Sequence, residues 1–431
     1  MITVAGLKLK IPGMELDALK AQLPLTSGLQ LTYGQLIALG GDFYGDPDKP
    51  VCLQQSLAAQ IEQFKRNFEL LRSSADEIAK ILKITEAYEF RPIAERVAQD
   101  LPPSGAYQSI PRTQGPTMND EDQAFDQATG GGGPGTTTFG RYTGLAITNF
   151  DHFGEDAVTC YTAGHILAQR VAIEAGTSQD VAKLKLAYAI NAFADHFLTD
   201  LFAAGHIRTP RRKLYESASN QLTQYLAGYC AKCMHDEDNK FGLWVTNKLG
   251  DKWVAYGDAR YRDSLNAANR VVMKAALQRS MDNVWEAYEE RSEVTPSKVL
   301  DYLPTPAGGV TGDQNWTPLF LWNHANNILD RRRELGDVSD SEFEPQTWSG
   351  WGLTTTAIGL RNRGVPYLPK TQYKTANLPF PPDESGSTGE IGWPRKPENV
   401  VGPERVKKDL RGLPSSLKPE DWRIDGTAKP D

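Results

Sequence analysis

Between Asp151 and His206 the chain sets out five side chains of the types that hold zinc: Asp151, His165, His196, Asp200 and His206. Four of its 6 histidines fall at positions 152, 165, 196 and 206. Imidazole nitrogen and carboxylate oxygen are the ligands a hydrolytic zinc uses, with one position kept for water. His196 and Asp200 stand four apart, so on a helix both project from one face, one turn above the other. Leu186, Ala189, Phe193, Phe197 and Leu201 recur around them at helical spacing and mark that side as buried. An ionised aspartate on such a face is costly unless it is paired or bound to metal. Ala203-Ala204-Gly205 offers a helix stop, which leaves His206 just beyond the end and able to turn toward a second metal. Any one of these histidines has a plainer reading, a core imidazole bonded to a carbonyl, and Asp195 can be a structural partner of His196. Three histidines and two aspartates that all need interior partners favour metal.

The elements that must position these groups are helical. Residues 54–93 carry Leu57, Ile61, Phe64, Phe68, Leu71 and Ile78 at amphipathic spacing. Further helices are expected over 155–175, 179–202, 213–240 and 261–288, with His165 inside the first. Residues 102–142 are rich in Gly, Pro, Thr and Asp and read as a long loop, a lid or substrate-facing excursion ending just before Asp151. From Thr295 the texture turns to Pro, Gly, Trp and charge, with one short helix near 319–334. Past Tyr367 the prolines 379, 381, 382, 394, 397 and 403 forbid regular elements. The expected fold is all-α, a multi-helix bundle around a zinc cluster. It divides into a helical catalytic domain, 1–294, and an irregular Pro/Gly-rich extension, 295–431.

At this point the residues resemble a family. The His-x3-Asp-x5-His of His196, Asp200 and His206 is similar to the core of the zinc-dependent bacterial phospholipases C, whose superfamily includes the fungal single-strand nucleases. Asp151 and His165, fourteen apart, match that family in order and separation. The runs 31–45, Asn149-Phe150-Asp151-His152-Phe153-Gly154 and His235-Asp236-Glu237-Asp238-Asn239 resemble the phosphatidylcholine-hydrolysing subgroup of pseudomonads and legionellae. The resemblance covers roughly residues 30–265. It implies an all-helical enzyme holding two to three Zn2+ ions. Asp151, His165, His196 and Asp200 would hold one ion, Asp200 would bridge to a second, and His206 with His235 would begin a third site. The family completes that third site with a His-x3-Glu, whereas position 239 here is Asn, so Asp238 or Asp236 would stand in. The family's N-terminal Trp and nearby His have no counterpart; Asp42, between glycines that let the backbone come close, is the candidate replacement ligand or else a turn residue. Asp151 is also the candidate catalytic base.

The implied chemistry is phosphodiester hydrolysis of phosphatidylcholine to diacylglycerol and phosphocholine, because zinc makes water nucleophilic near neutral pH and clamps phosphoryl oxygens. A choline head group would need aromatic faces, for which Tyr33, Phe43, Tyr44 and Trp244 are candidates or, equally, core residues. His152 either donates to a ligand carboxylate or caps a turn, and Asn247, Asp251, Tyr256 and Asp258 are support candidates. Arg208, Arg211, Arg212 and Lys213 either face a phosphate or line a solvated helix start. A net charge of −7 supplies no basic field for nucleic acid, which disfavours the nuclease branch. A zinc nuclease or phosphatase on the same body, and a non-catalytic metal-binding descendant, remain the alternatives. The 4 cysteines, 52, 160, 230 and 233, make no disulfide framework. No apolar run reaches membrane-spanning length and none reads as a signal peptide, so a cytoplasmic location, or secretion without a recognisable signal, is expected.

Overall fold

Caps and turn residues cut the helical text more finely than its periodicity suggests. A computed structural model of the chain describes residues 4–25, 28–92, 120–132, 138–257, 260–261, 266–309, 315–345 and 350–363. The chain opens on two antiparallel hairpins, β1 (Lys8–Ile11) with β2 (Met14–Asp17) and β3 (Gln22–Pro24) with β4 (Gln30–Thr32). Thr32 then starts α1 (Tyr33–Phe43) with a capping box: its hydroxyl accepts the Gln35 N–H while the Gln35 carboxamide accepts the Thr32 N–H.

The helix expected over 54–93 is broken into α2 (Leu57–Arg72) and α3 (Ala75–Thr85), the latter running on into a π-helical turn over Glu86–Phe90. Between them the Ser73 and Ser74 hydroxyls donate to the carbonyls of Glu69 and Leu70, the local competition by which serine ends a helix. The stretch 102–142 is not all loop. It contains α4 (Asp120–Ala128) and leads into α5 (Arg141–Thr148), while 102–119 and 133–137 lie outside the described residues.

A helical hairpin, α6 (Gly154–Ser178) and α7 (Val181–Asp200), forms the centre. Gln179 closes α6 in the left-handed conformation, φ 55, and Asp180 at once caps α7 by accepting from Ala182 and Lys183 N–H. Next come α8 (Ala204–Ile207), α9 (Arg211–Glu216) and α10 (Gln221–Phe241). The last two share the span expected as one helix over 213–240, parted where Asn220 builds a second capping box with Thr223. Strands β5 (Leu243–Thr246) and β6 (Lys252–Ala255) follow, then α11 (Ala267–Glu290), α12 (Ser297–Leu300) and β7 (Thr305–Pro306), with β7 pairing back on β5.

The short helix expected near 319–334 is a β-hairpin instead. Strand β8 (Phe320–Asn323) pairs with β9 (Ile328–Arg332), Trp322 opposite Leu329, and β9 pairs onward with β10 (Phe343–Pro345). The reason is turn chemistry: Asn323 Oδ1 accepts the N–H groups of Ala325 and Asn326, and Asn327 takes φ 55. Helix α13 (Gly350–Asn362) is the last described element, and the arm expected past Tyr367 lies outside the described residues.

The fold is thus mostly helical with small antiparallel sheets, not all-α. One core unites α1, α2, α6, α7 and α11, with Phe64, Phe68, Tyr161, Tyr188 and Phe193 fully buried in it. A second core lies on the other side of α10, where Ala227, Cys230, Ala231 and Met234 meet Phe320 and Leu329 of the hairpin and Leu353, Ala357 and Leu360 of α13. Two ion clusters seal that contact. Glu237 is held by Arg332 and Arg363, and the adjacent Asp238 by Arg208, with Glu237, Asp238, Arg208 and Arg332 almost wholly buried. Among the described residues no helix is long and apolar enough to cross a membrane.

Candidate metal centre

The end of α7 carries His196 and Asp200 on one face, as their spacing requires. Helix α1 brings Asp42 to that face because it can approach closely. A Cβ at Gly40 would sit 2.5 Å from His196 Cβ, and one at Gly41 would sit 2.8 Å from His152 Nε2. Gly40 also leaves the helical well, at φ −45 and ψ −124, and so kinks the last turn that ends in Asp42 and Phe43. The third contribution is a 3-10 turn over Phe150–His152, which turns the His152 ring into the same space.

Asp42, His152 and His196 each offer a ligand atom within 4.8 Å of the other two, an arrangement that can hold a metal ion. Asp200 stands beside the group: its Oδ2 is hydrogen-bonded to His152 Nδ1 at 2.7 Å and lies 3.5 Å from His196 Nε2. The ring nitrogens themselves are 3.3 Å apart. His196 Nδ1 faces the Ile37 carbonyl at 2.8 Å, so Nδ1 carries the proton and Nε2 presents its lone pair to the cluster. Burial alone would push the Asp200 carboxyl up, but His196, His152 and His206 beside it hold it below the usual range. Burial likewise works against a charged His152, yet the Asp200 carboxylate raises its pKa. Asp42, His152 and His196 thus bring one carboxylate and two imidazoles from three separate segments to one point, donors of the kind that can hold a metal ion.

A small cleft of about 20 Å3 opens beside the cluster, lined by Tyr44, Asp46, Asn67, Asn149, Asp151 and His152. That is room for about one water molecule among several polar partners.

Other residues singled out by sequence lie elsewhere. Asp151 faces away from its neighbour His152, and its two oxygens accept the N–H groups of Val51 and Cys52 at 2.8 Å each. Its carboxylate anchors the 3-10 turn over Val51–Leu53 to the turn that carries His152. His165 is a wholly buried core residue. Nδ1 lies 2.6 Å from Asn191 Oδ1 and Nε2 lies 3.2 Å from Asn283 Nδ2, so Nδ1 donates and Nε2 accepts, and the ring stacks on Tyr161. Burial, only partly offset by Asn191, lowers its pKa to about 4. Tyr33, a substrate-binding candidate, belongs to the same interior network: it donates to Asp195 at 2.6 Å, and Ser280 donates to the other oxygen at 2.7 Å. Burial pushes the Asp195 carboxyl up to about 8.

His206 and His235 do meet, with ring centroids 4.8 Å apart and Phe153 stacked on His206. His206 Nδ1 donates to the His152 carbonyl at 2.8 Å, which ties this pair to the first cluster. Asn239 lies 3.1 Å from His235 Nε2, while its Oδ1 accepts the Gly205 N–H. Asp238 does not join them, because both its oxygens accept from Arg208, and Asp236 lies 3.0 Å from His235 Nδ1. Of the aromatic candidates only Tyr44 lines the cleft. Phe43 packs between Phe125 and Tyr142, and Trp244 lies in β5 with its backbone bonded to Asn315.

Among the described residues each member of the basic run has a partner of its own. Arg208 holds Asp238, Arg212 lies 3.2 Å from Asp156, and Lys213 lies 2.9 Å from Glu216. Arg211 donates to the carbonyls of Ala146 and Ile147 at the end of α5, and to Asn149. Asn247 and Asp251 build the β5–β6 turn, and Asp258 lies outside the described residues. Cys230 and Cys233 are free thiols on α10 whose pKa values burial raises, with no second ligand pair beside them among the described residues. Sequence reasoning missed one member of the cluster: His152, read as a supporting or turn residue, takes the place expected for Asp151. No known protein family, curated protein or solved structure matches the chain.

Proposed function

We propose that this chain is a zinc-dependent phosphodiester hydrolase whose substrate is phosphatidylcholine, released as diacylglycerol and phosphocholine. The observation that carries the reading is the convergence of Asp42, His152, His196 and Asp200 beside a polar cleft. The spacing of His196, Asp200 and His206, which resembles that of the zinc phospholipases C, supports the choice of metal and reaction.

Bound there, zinc would supply Lewis acidity toward water and phosphoryl oxygen. The chain's own residues do the rest. The Ile37 carbonyl fixes the His196 tautomer and the His152 carbonyl that of His206, so each ring presents Nε2 with little orientational freedom to lose. Asp200 balances the charge of the imidazoles around it. Asp151 is committed to two backbone N–H groups and is not the base. Asp42, with its side chain 51% exposed at the mouth of the cluster, is the carboxylate open to take a proton from an attacking water.

The deciding experiment is metal analysis of the purified protein, paired with phosphatidylcholine hydrolysis with and without a chelator. Bound zinc and chelator-sensitive release of phosphocholine are expected. Bound zinc without lipid turnover would remove the phospholipase assignment, and a protein that takes up no zinc would remove the metal centre itself.

A further inference from the structure

Among the described residues large apolar side chains are sparsely exposed, yet two of them, Leu53 and Leu57, stand 44% and 45% exposed in the segment that follows Pro50, a residue of the cleft wall. Between them Gln55 and Ser56 are exposed as well, and so is Ala58 in the first turn of α2. The segment is pinned to the turn that carries His152, since the N–H groups of Val51 and Cys52 hold the adjacent Asp151, and Pro50 lines the cleft. Ser56 starts α2 by accepting the Ala59 N–H, so the segment is rigidly seated from both sides. From Pro50 to Ile61 it carries no charged residue, in a chain where 23% of residues are charged. A solvated helix start would ordinarily carry some of that charge.

We propose that this neutral, leucine-tipped segment docks the protein on a zwitterionic phospholipid surface and so sets the cleft against its substrate. The inference rests on the phospholipase reading and adds to it where the lipid is met. The chemistry of the partner follows from the side chains. Leucine enters the acyl boundary, while glutamine and serine hydrogen-bond at headgroup depth without a charge to desolvate. An anionic membrane is a poor match, because the segment offers no lysine or arginine and the chain carries a net charge of −7.

The test is flotation of the full chain, stripped of metal by chelator, with vesicles of dioleoylphosphatidylcholine. Hydrolysis of monomeric dihexanoylphosphatidylcholine by the metal-loaded protein runs alongside. Leu53→Ser and Leu57→Ser are each expected to weaken vesicle binding about tenfold, the scale set by losing a buried leucine from an apolar phase. The monomeric substrate should be turned over at the unchanged rate, and vesicle binding should be insensitive to salt. Trp351→Ser, at an exposed aromatic on α13 in the second core's module, should leave binding unaltered. Vesicle binding unchanged in the double leucine variant, or lost in the Trp351 variant, would overturn the proposal. So would a wild-type dimer dissolved by the leucine substitutions, which would make a second copy the occupant. A monomeric-substrate rate that falls in step with vesicle binding would place the leucines in the cleft and overturn it too. Flotation requires no turnover, so vesicle binding through the leucines without lipid hydrolysis would sink the phospholipase reading alone.

Discussion

Helix α7 feeds two polar clusters through adjacent residues. Asp195 points inward to Tyr33, Asn191 and Ser280, where His165 also lies, whereas His196 points to the open end with His152, Asp42 and Asp200. Both clusters contain histidine and aspartate, and both are largely buried. They differ in what the polar atoms face. In the inner network donors meet acceptors, hydroxyl to carboxylate and amide to imidazole. In the outer one His152 Nδ1 and Asp200 pair at 2.7 Å, but His196 Nε2 turns its lone pair to the same space and Asp42 stands 3.9 Å from His152 without a hydrogen bond to it. Lone pairs left over in such a cluster suit a cation, and a fully matched network has none to offer.

That contrast fails outright if His196→Ala leaves metal binding intact. The expected result is loss of zinc beyond the ~10–100-fold that removal of an outer partner costs, with hydrolysis abolished, read by metal analysis and phosphocholine release. His165→Ala should do the reverse. It opens a cavity and leaves Asn191 and Asn283 unmatched, costing about 3 kcal/mol in a denaturant titration at unaltered zinc content. Loss of zinc in that variant would make His165 a ligand after all.

The inner network also predicts a pH dependence. With a folded pKa of about 4 against an ordinary 6.5, His165 takes up its proton more readily in the unfolded chain. Its stabilising effect is therefore complete above about pH 6.5 and lost progressively down to about pH 4, by roughly 3 kcal/mol. His165→Gln should flatten that limb of the stability–pH curve, and an unchanged limb would assign it to other groups. The smallest effect on metal is expected of Asp42→Asn, about tenfold in zinc affinity with no change in melting temperature, because the side chain is half-exposed, while phosphocholine release should fall by about 100-fold or more as the proton acceptor is lost.

The central hairpin was legible because α6 and α7 keep helical spacing over their whole length and end on capping residues. Asp42 was legible from its flanking glycines. The choice between Asp151 and His152 was not, since neighbouring residues on a 3-10 turn diverge and nothing local says which one faces the cluster. His165 misled for a related reason: a buried histidine satisfied by Asn191 and Asn283 has the same local sequence pattern as a ligand. The β8–β9 hairpin escaped because its Asn-rich turn was read against helical periodicity, and Asp238 because its partner Arg208 lies in another segment. Long-range pairing decides such cases, and it is written in no local window.

The arginine clamps on α10 have a consequence for how the chain is made. Glu237 leaves the ribosome well before its partners, which follow 95 and 126 positions later at Arg332 and Arg363. At synthesis rates of about 5–20 residues per second, that is a wait of several seconds with a carboxylate that cannot be buried unpaired. The Glu237 face of α10 therefore stays solvated until β9 and the end of α13 arrive. The half of the molecule that carries the histidine cluster is finished from its C-terminal end.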